Sequence, residues 1–139
     1  MDMVWTEQLS VGNAVIDSEH KKLIALVNDI TCATKEKDSS ALLRALKPFK
    51  SFMSRHYIKE EQFAQALDFP FGLHDVAHQN LRTELDFTEQ ELKKNCMENI
   101  FVMEDYAQFL WDLLIKHITE EDMLMKPMLQ TRPYDFKPG

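Results

Sequence analysis

Residues 18–30, Ser-Glu-His-Lys-Lys-Leu-Ile-Ala-Leu-Val-Asn-Asp-Ile, decide the fold. Measured from His20, the apolar positions Leu23, Ile24, Val27 and Ile30 fall at +3, +4, +7 and +10. That spacing is one face of an α-helix, so His20 shares the inward stripe of an amphipathic helix. The pattern returns three times, and each stripe carries histidine. Leu42, Ala45, Leu46, Phe49, Phe52 and Met53 lead to His56 and Glu60. Ala77, Leu81, Leu85 and Leu92 share the face of His74 and His78, and Met103, Tyr106, Leu110, Leu113 and Leu114 lead to His117. Four residues turn a helix by about 400°, so His56 with Glu60, and His74 with His78, each project from one face.

Working outward, the first helix is expected to start near Asp17 or Ser18, either of which can cap it, and to run to about Lys37. The second starts at Ser39 or Ser40 and reaches about Leu67. Pro48 removes one backbone donor and crowds the carbonyl of Arg44, so a kink or a later start is expected there. Asp68 to Gly72 (DFPFG) breaks the pattern. A third helix follows to about Lys94, and a fourth spans roughly Met97 to Ile118. Residues 1–17 read as an extended arm anchored by Trp5, Val11, Val15 and Ile16, with Gly12 as a turn signal. The tail 131–139 (TRPYDFKPG) is polar with two prolines, as a disordered terminus or a cut linker to a signalling domain would be. The expected fold is all-α: an antiparallel up-down-up-down four-helix bundle with an extended N-terminal arm, residues 1–130 forming one domain. In that topology His20, His56 with Glu60, His74 with His78, and His117 all fall at the same end.

Composition agrees. The 139 residues are 45% apolar, enough for one core, and contain only three glycines and five prolines. A net charge of −7 argues against nucleic-acid and anionic-membrane partners. No apolar run approaches the roughly 20 residues of a membrane span. Asp2 and Glu7 stand where a secretion signal needs cations, and Cys32 and Cys96 form no C-x-x-C, so a reduced cytoplasmic setting is expected.

A single histidine on an apolar face is usually a core residue with a backbone partner. Five such histidines, with Glu60 and Asp122 at the same depth, are better explained by metal, because buried carboxylates without a cation are costly. The methionines and phenylalanines are simpler as core filling. The pairs Glu60-Glu61 and Glu120-Glu121 read as part of a solvated face, with only Glu60 assigned to the site. Seven ligands are too many for one tetrahedral zinc and suit two first-row ions, with carboxylates bridging and imidazoles capping. No E-x-x-H occurs, unlike carboxylate-rich di-iron bundles. One spacing demands irregular backbone. His117 and Asp122 are five apart, about 500° on an α-helix and so some 140° out of phase. A turn or bulge is expected between Ile118 and Glu121, with Thr119 capping a short segment that ends near Pro127.

The chain resembles bacterial members of the hemerythrin family. The matching stretches are Trp5 with Val11-Gly12, Ile16-Asp17-x-x-His20-Lys21-Lys22-Leu23, His56-Tyr57-x-x-Glu60-Glu61, Phe69-Pro70 before His74-x3-His78-x-x-Leu81, and His117-Ile118-x3-Asp122. Each motif is weak alone, but the ordered set is specific and covers almost the whole chain. The resemblance implies one iron on His74, His78 and His117 and a second on His20 and His56, bridged by Glu60, Asp122 and an oxo or hydroxo group. It implies dioxygen at the open position of the second iron, within a pocket of Ile24, Phe63, Leu110, Leu113 and Leu114. Reversible binding is expected because the electrons and the proton that move stay inside the buried site, whose net charge is unchanged. Many relatives carry tryptophan at the position of Leu113, and Trp111 lies two residues earlier here, so a more open pocket is expected. Glu19 stands where glutamine is more usual, a change expected to be harmless. Oxygen carriage, buffering or sensing is the implied role; the alternative is a di-iron enzyme acting on nitric oxide, peroxide or oxygen. The sequence favours binding, since it displays no second cofactor motif, resolving cysteine pair or electron-entry site.

Overall fold

The computed structural model describes residues 3–70, 72–94 and 100–138, except the side chains of 39, 72–74, 88, 91–92, 94 and 100–103. Four long helices follow the four apolar stripes: α1 (Ala14–Lys35), α2 (Ser39–Ala66), α3 (Gly72–Lys94) and α4 (Ile100–Lys116). A π turn at His117–Glu121, a 3-10 turn at Asp122–Met125 and a short α5 (Lys126–Leu129) complete the chain's helical part. The described residues form no strand. α1 packs against α2 and α4, and α2 against α3. The short links between consecutive helices leave neighbours no choice but to run antiparallel. No helix among the described residues is long and apolar enough to cross a membrane.

Two helix starts differ from expectation. α1 begins earlier, because Asn13 is its cap: the Asn13 side chain accepts hydrogen bonds from the amides of Val15 and Ile16. Asp17 lies within the first turn, buried, and accepts from the Val11 amide and from the Ser10 and Tyr134 hydroxyls. A carboxylate there also faces the positive end of the helix dipole. α2 is capped by Asp38, not by either serine, and runs unbroken through Pro48, whose ring lies on the exposed face. The start expected for the fourth helix, Met97, lies outside the described residues.

Helix α2 stops because Asp68 adopts the left-handed conformation, φ 56°. The Asp68 amide then donates to the Gln65 carbonyl and the Phe69 amide to the Ala64 carbonyl, satisfying two groups the helix end would leave unpaired. Pro70 follows, where it cannot resume the helix. Lys37 does the same service after α1, with φ 57° and its amide on Thr34.

Two apolar clusters result. The larger one joins Leu23, Val27 and Ile30 of α1, Leu46, Phe49 and Met53 of α2, Leu81 and Leu85 of α3, and Leu110 and Leu114 of α4. The smaller one joins Val11, Ile16, Phe63, Ala64, Leu67, Met125 and Leu129. Each fully buried Leu, Ile or Phe contributes roughly 1.5–3 kcal/mol, so both clusters matter to a marginally stable domain. The tail packs on the smaller cluster, unlike the loose end its prolines suggested. The Tyr134 carbonyl accepts from the Ala14 amide, the Phe136 carbonyl accepts from the Asn13 side chain, and the Phe136 ring meets Phe63 edge-on at 6.0 Å.

Candidate metal centre

Between the two clusters, α1, α2, α3 and the π turn bring their polar residues together. His20, His56, Glu60, His117 and Asp122 are fully buried, and each offers a ligand atom within 4.8 Å of all the others. His20 Nε2 lies 2.6 Å from Asp122 Oδ2, and His117 Nε2 lies 2.8 Å from the same oxygen. Around Glu60 Oε1 stand the Nε2 atoms of His56 at 3.2 Å, His78 at 3.3 Å and His117 at 3.3 Å. His74 sits one turn before His78 on α3, and its side chain lies outside the described residues.

The backbone irregularity that the His117–Asp122 spacing demands is present. The Asp122 amide donates to the His117 carbonyl, a hydrogen bond five residues long that widens one turn and carries both side chains to one face. The segment beyond differs from expectation. Thr119 caps nothing; its hydroxyl donates back to the Ile115 carbonyl. Pro127 does not end the segment but occupies the first turn of α5, where its missing amide costs no helical bond.

Two functional side chains escaped the sequence reading. His56 Nδ1 is 2.7 Å from Glu19 Oε1, and His117 Nδ1 is 3.0 Å from Glu121 Oε1. Glu121 was expected to be part of a solvated face and Glu19 was given no role at the site; each accepts from the outer nitrogen of a buried imidazole. That contact fixes the ring's orientation and turns Nε2 inward, as carboxylates commonly do for metal-binding histidines. The i+4 spacing from His117 could have flagged Glu121. For Glu19, which reaches across to another helix, no local signal exists. Tyr57 is a further neighbour: its buried ring stacks on His78, centroids 3.9 Å apart and 18° from parallel.

The donors fit a cation. His56 Nε2 and His117 Nε2 face each other at 3.2 Å, and with both Nδ1 atoms engaged by carboxylates the neutral rings would oppose two lone pairs. Neither oxygen of buried Glu60 makes a well-formed hydrogen bond, and neither does His20 Nδ1. Without metal, protons must take the cation's place. Burial works against charging His56, yet Glu60, Asp122 and Glu19 outweigh it and hold this imidazole well above its ordinary range; Asp122, Glu60 and Glu121 do the same for His117. Burial would raise Glu60, but His56 and His117 pull it down to about 2, and His117 leads in holding Asp122 well below its usual value. His20 differs, because there burial prevails over Asp122 and keeps the ring's pKa low.

Of the apolar side chains expected near the site, Ile24, Leu110, Leu113 and Leu114 are buried in the larger cluster, and Phe63 is buried in the smaller one. Cys32 is an exposed free thiol, and Cys96 lies outside the described residues.

Buried imidazoles converging on two carboxylates inside an antiparallel helical bundle define a metal-binding bundle protein. Residues 11–129 match the hemerythrin HHE cation binding domain, and the chain belongs to the hemerythrin family. It is 22% identical over 120 residues to a bacteriohemerythrin of Pseudomonas aeruginosa (strain LESB58), covering 86% of this chain and 76% of that protein. It is 28% identical over 125 residues to a hemerythrin-like protein of Naegleria gruberi, covering 90% and 92%. A solved structure of a hemerythrin point mutant superposes with a TM-score of 0.81 at 22% identity, covering 92% of this chain and 97% of that one.

Proposed function

We propose that this chain binds dioxygen reversibly at a non-haem di-iron centre, for oxygen carriage, buffering or sensing. In this reading His74, His78 and His117 hold one iron, His20 and His56 hold the other, and Glu60 and Asp122 bridge them beside an oxo or hydroxo group. When bound, the iron pair supplies the two electrons that make dioxygen a ligand. Everything else falls to the chain. Glu19 and Glu121 keep His56 and His117 aimed inward, and Asp122 is delivered by the π turn.

The observation that carries the reading is the convergence of four Nε2 atoms on Glu60 and Asp122, all in a buried space. Binding is favoured over turnover by the apolar side chains Ile24, Leu110, Leu113 and Leu114, which suit retention of a neutral diatomic molecule better than delivery of protons. The test is spectroscopic. Anaerobically reduced, iron-loaded protein should be nearly colourless, gain visible charge-transfer absorption on adding oxygen, take up about one oxygen per iron pair, and lose the colour when oxygen is removed promptly. Leu113→Trp, which narrows the pocket, should lengthen the adduct's life. Catalytic consumption of oxygen, peroxide or nitric oxide with a reductant, and no reversible adduct, would establish the enzyme alternative instead.

A further inference from the structure

A cleft of about 850 Å³ opens between α2 and α3, on the side of α2 that carries Tyr57. Its volume falls within the usual range of small-molecule sites. The floor is apolar: Met53, Tyr57 and Leu85 line it, and all three are buried. The rim is cationic. Among the described lining residues six carry positive charge and two negative, an excess of four, on a chain whose net charge is −7. Lys50 crosses the cleft to Asp86 and Glu89, the two carboxylates among the described lining residues. Arg44, Lys47 and Arg82 line the cleft and make no ion pair among the described residues.

From this we infer that the α2/α3 cleft is a binding site for an organic anion, with an aromatic or apolar body over Met53, Tyr57 and Leu85 and its acidic group on the cationic rim to which Arg44 and Arg82 belong. An apolar floor alone would accept any greasy molecule, and a cationic rim alone any anion. Together they select an amphipathic anion, because the acidic group gains charge-assisted hydrogen bonds while the body leaves water. Two arginines also offer planar forks that match a carboxylate, sulfonate or phosphate. The occupant would lie one ring away from the metal centre, since Tyr57 stacks on His78. The site stands or falls independently of what the metals bind.

Two dyes that differ by one sulfonate test it on the metal-loaded protein: 8-anilinonaphthalene-1-sulfonate and its neutral parent, N-phenyl-1-naphthylamine. The anionic dye should bind at least tenfold tighter than the neutral one by fluorescence titration. Arg44→Glu with Arg82→Glu, both exposed positions, should weaken the anionic dye at least tenfold and leave the neutral dye unchanged. Ser51→Trp, which places an indole in the cleft from an exposed position, should weaken both. Unchanged melting temperatures in both variants confirm that the folds are intact. Equal affinity for the two dyes, an unchanged anionic affinity in the double variant, or unchanged affinities in Ser51→Trp would each overturn the inference.

Discussion

The two apolar clusters on either side of the metal centre are held by different means. The larger is mainly a meeting of regular helices, joined by Met3 of the arm and Ile118 of the π turn, and most of its members follow from spacing: Leu23, Val27 and Ile30, or Leu46, Phe49 and Met53, recur at helical intervals. The smaller is assembled from the arm, the end of α2, the turns after α4 and the tail, and polar hubs fasten it. Asn13 caps α1 and donates to Phe136, while Asp17 gathers Val11, Ser10 and Tyr134. The lesson is that apolar periodicity suffices where elements are regular, whereas an irregular end needs specific hydrogen bonds. Asp122 rides on that irregular end, so the metal centre depends on both kinds of construction.

The largest expected effect comes from removing metal, which should break the comparison unevenly. Bound ions stabilise the folded chain by about 4 kcal/mol at a thousandfold excess over the dissociation constant, or on the order of 10 °C in melting temperature for a domain of this size. The loss should concentrate where Asp122 and the turns after α4 are tied to α1 and α2. Amide exchange measured before and after chelation should therefore rise more at Ile16, Phe63 and Met125 than at Ile30, Leu42 and Leu46. Glu60→Ala should lower iron content and melting temperature together. An unchanged melting temperature on chelation, or a uniform rise in exchange along the chain, would show that the centre does not hold this end.

What the sequence disclosed divides along the same line. The four stripes, their antiparallel order and the shared depth of the histidines are local patterns, and the π turn is legible as a count of five between His117 and Asp122. The Asn13 cap, the Asp17 hub and the docked tail are not local: Asn13 and Phe136 are 123 residues apart, and Asp17 and Tyr134 are 117 apart. An aspartate near a helix start reads as a cap from sequence, because no periodic pattern announces that it serves Ser10, Val11 and the distant Tyr134 instead. Glu19 was missed for the same reason, its partner His56 lying 37 residues away on another helix. Of the two consequences expected at Pro48, the later start does not occur, since an exposed proline on a long helix can be carried by packing on the other face.

The next effect in size tests whether the hub fastens the smaller cluster. Asp17→Ala leaves the Val11 amide and two hydroxyls without their acceptor, and hydrogen bonds to a charged group contribute about 1.5–3 kcal/mol each when a buried partner is stranded. Exposed or rehydrated partners recover part of that, so a loss of about 2–3 kcal/mol is expected. Neighbouring Ser18→Ala, on the exposed face, should stay within about 0.5 kcal/mol. Denaturant unfolding of the metal-free forms separates this from any change in metal binding. Similar midpoints for the two variants would mean that apolar contact alone secures the small end.

The smallest effect is one of pH, and it sharpens the role of the centre between the clusters. Without metal, His56 and His117 have raised pKa values, so the stability they contribute is fully present below about 6.5 and is lost as pH rises through their folded values. Glu60 and Asp122 have lowered ones, so theirs is present above about 4.5 and is lost as pH falls. His20, kept neutral by burial, works against the first pair below about 6.5, one ring against two. The metal-free protein should therefore be most stable between about pH 4.5 and 6.5 and decline above it. In the loaded protein the cations replace those protons, and imidazole must be deprotonated to bind them, so metal binding strengthens over the pH range where the metal-free fold weakens. The gap in melting temperature between loaded and metal-free protein should accordingly widen from pH 6.5 to 8.5. A gap that stays constant or narrows would mean that protons do not stand in for metal at His56 and His117, and that the imidazole pair is held apart by some other contact in the metal-free state.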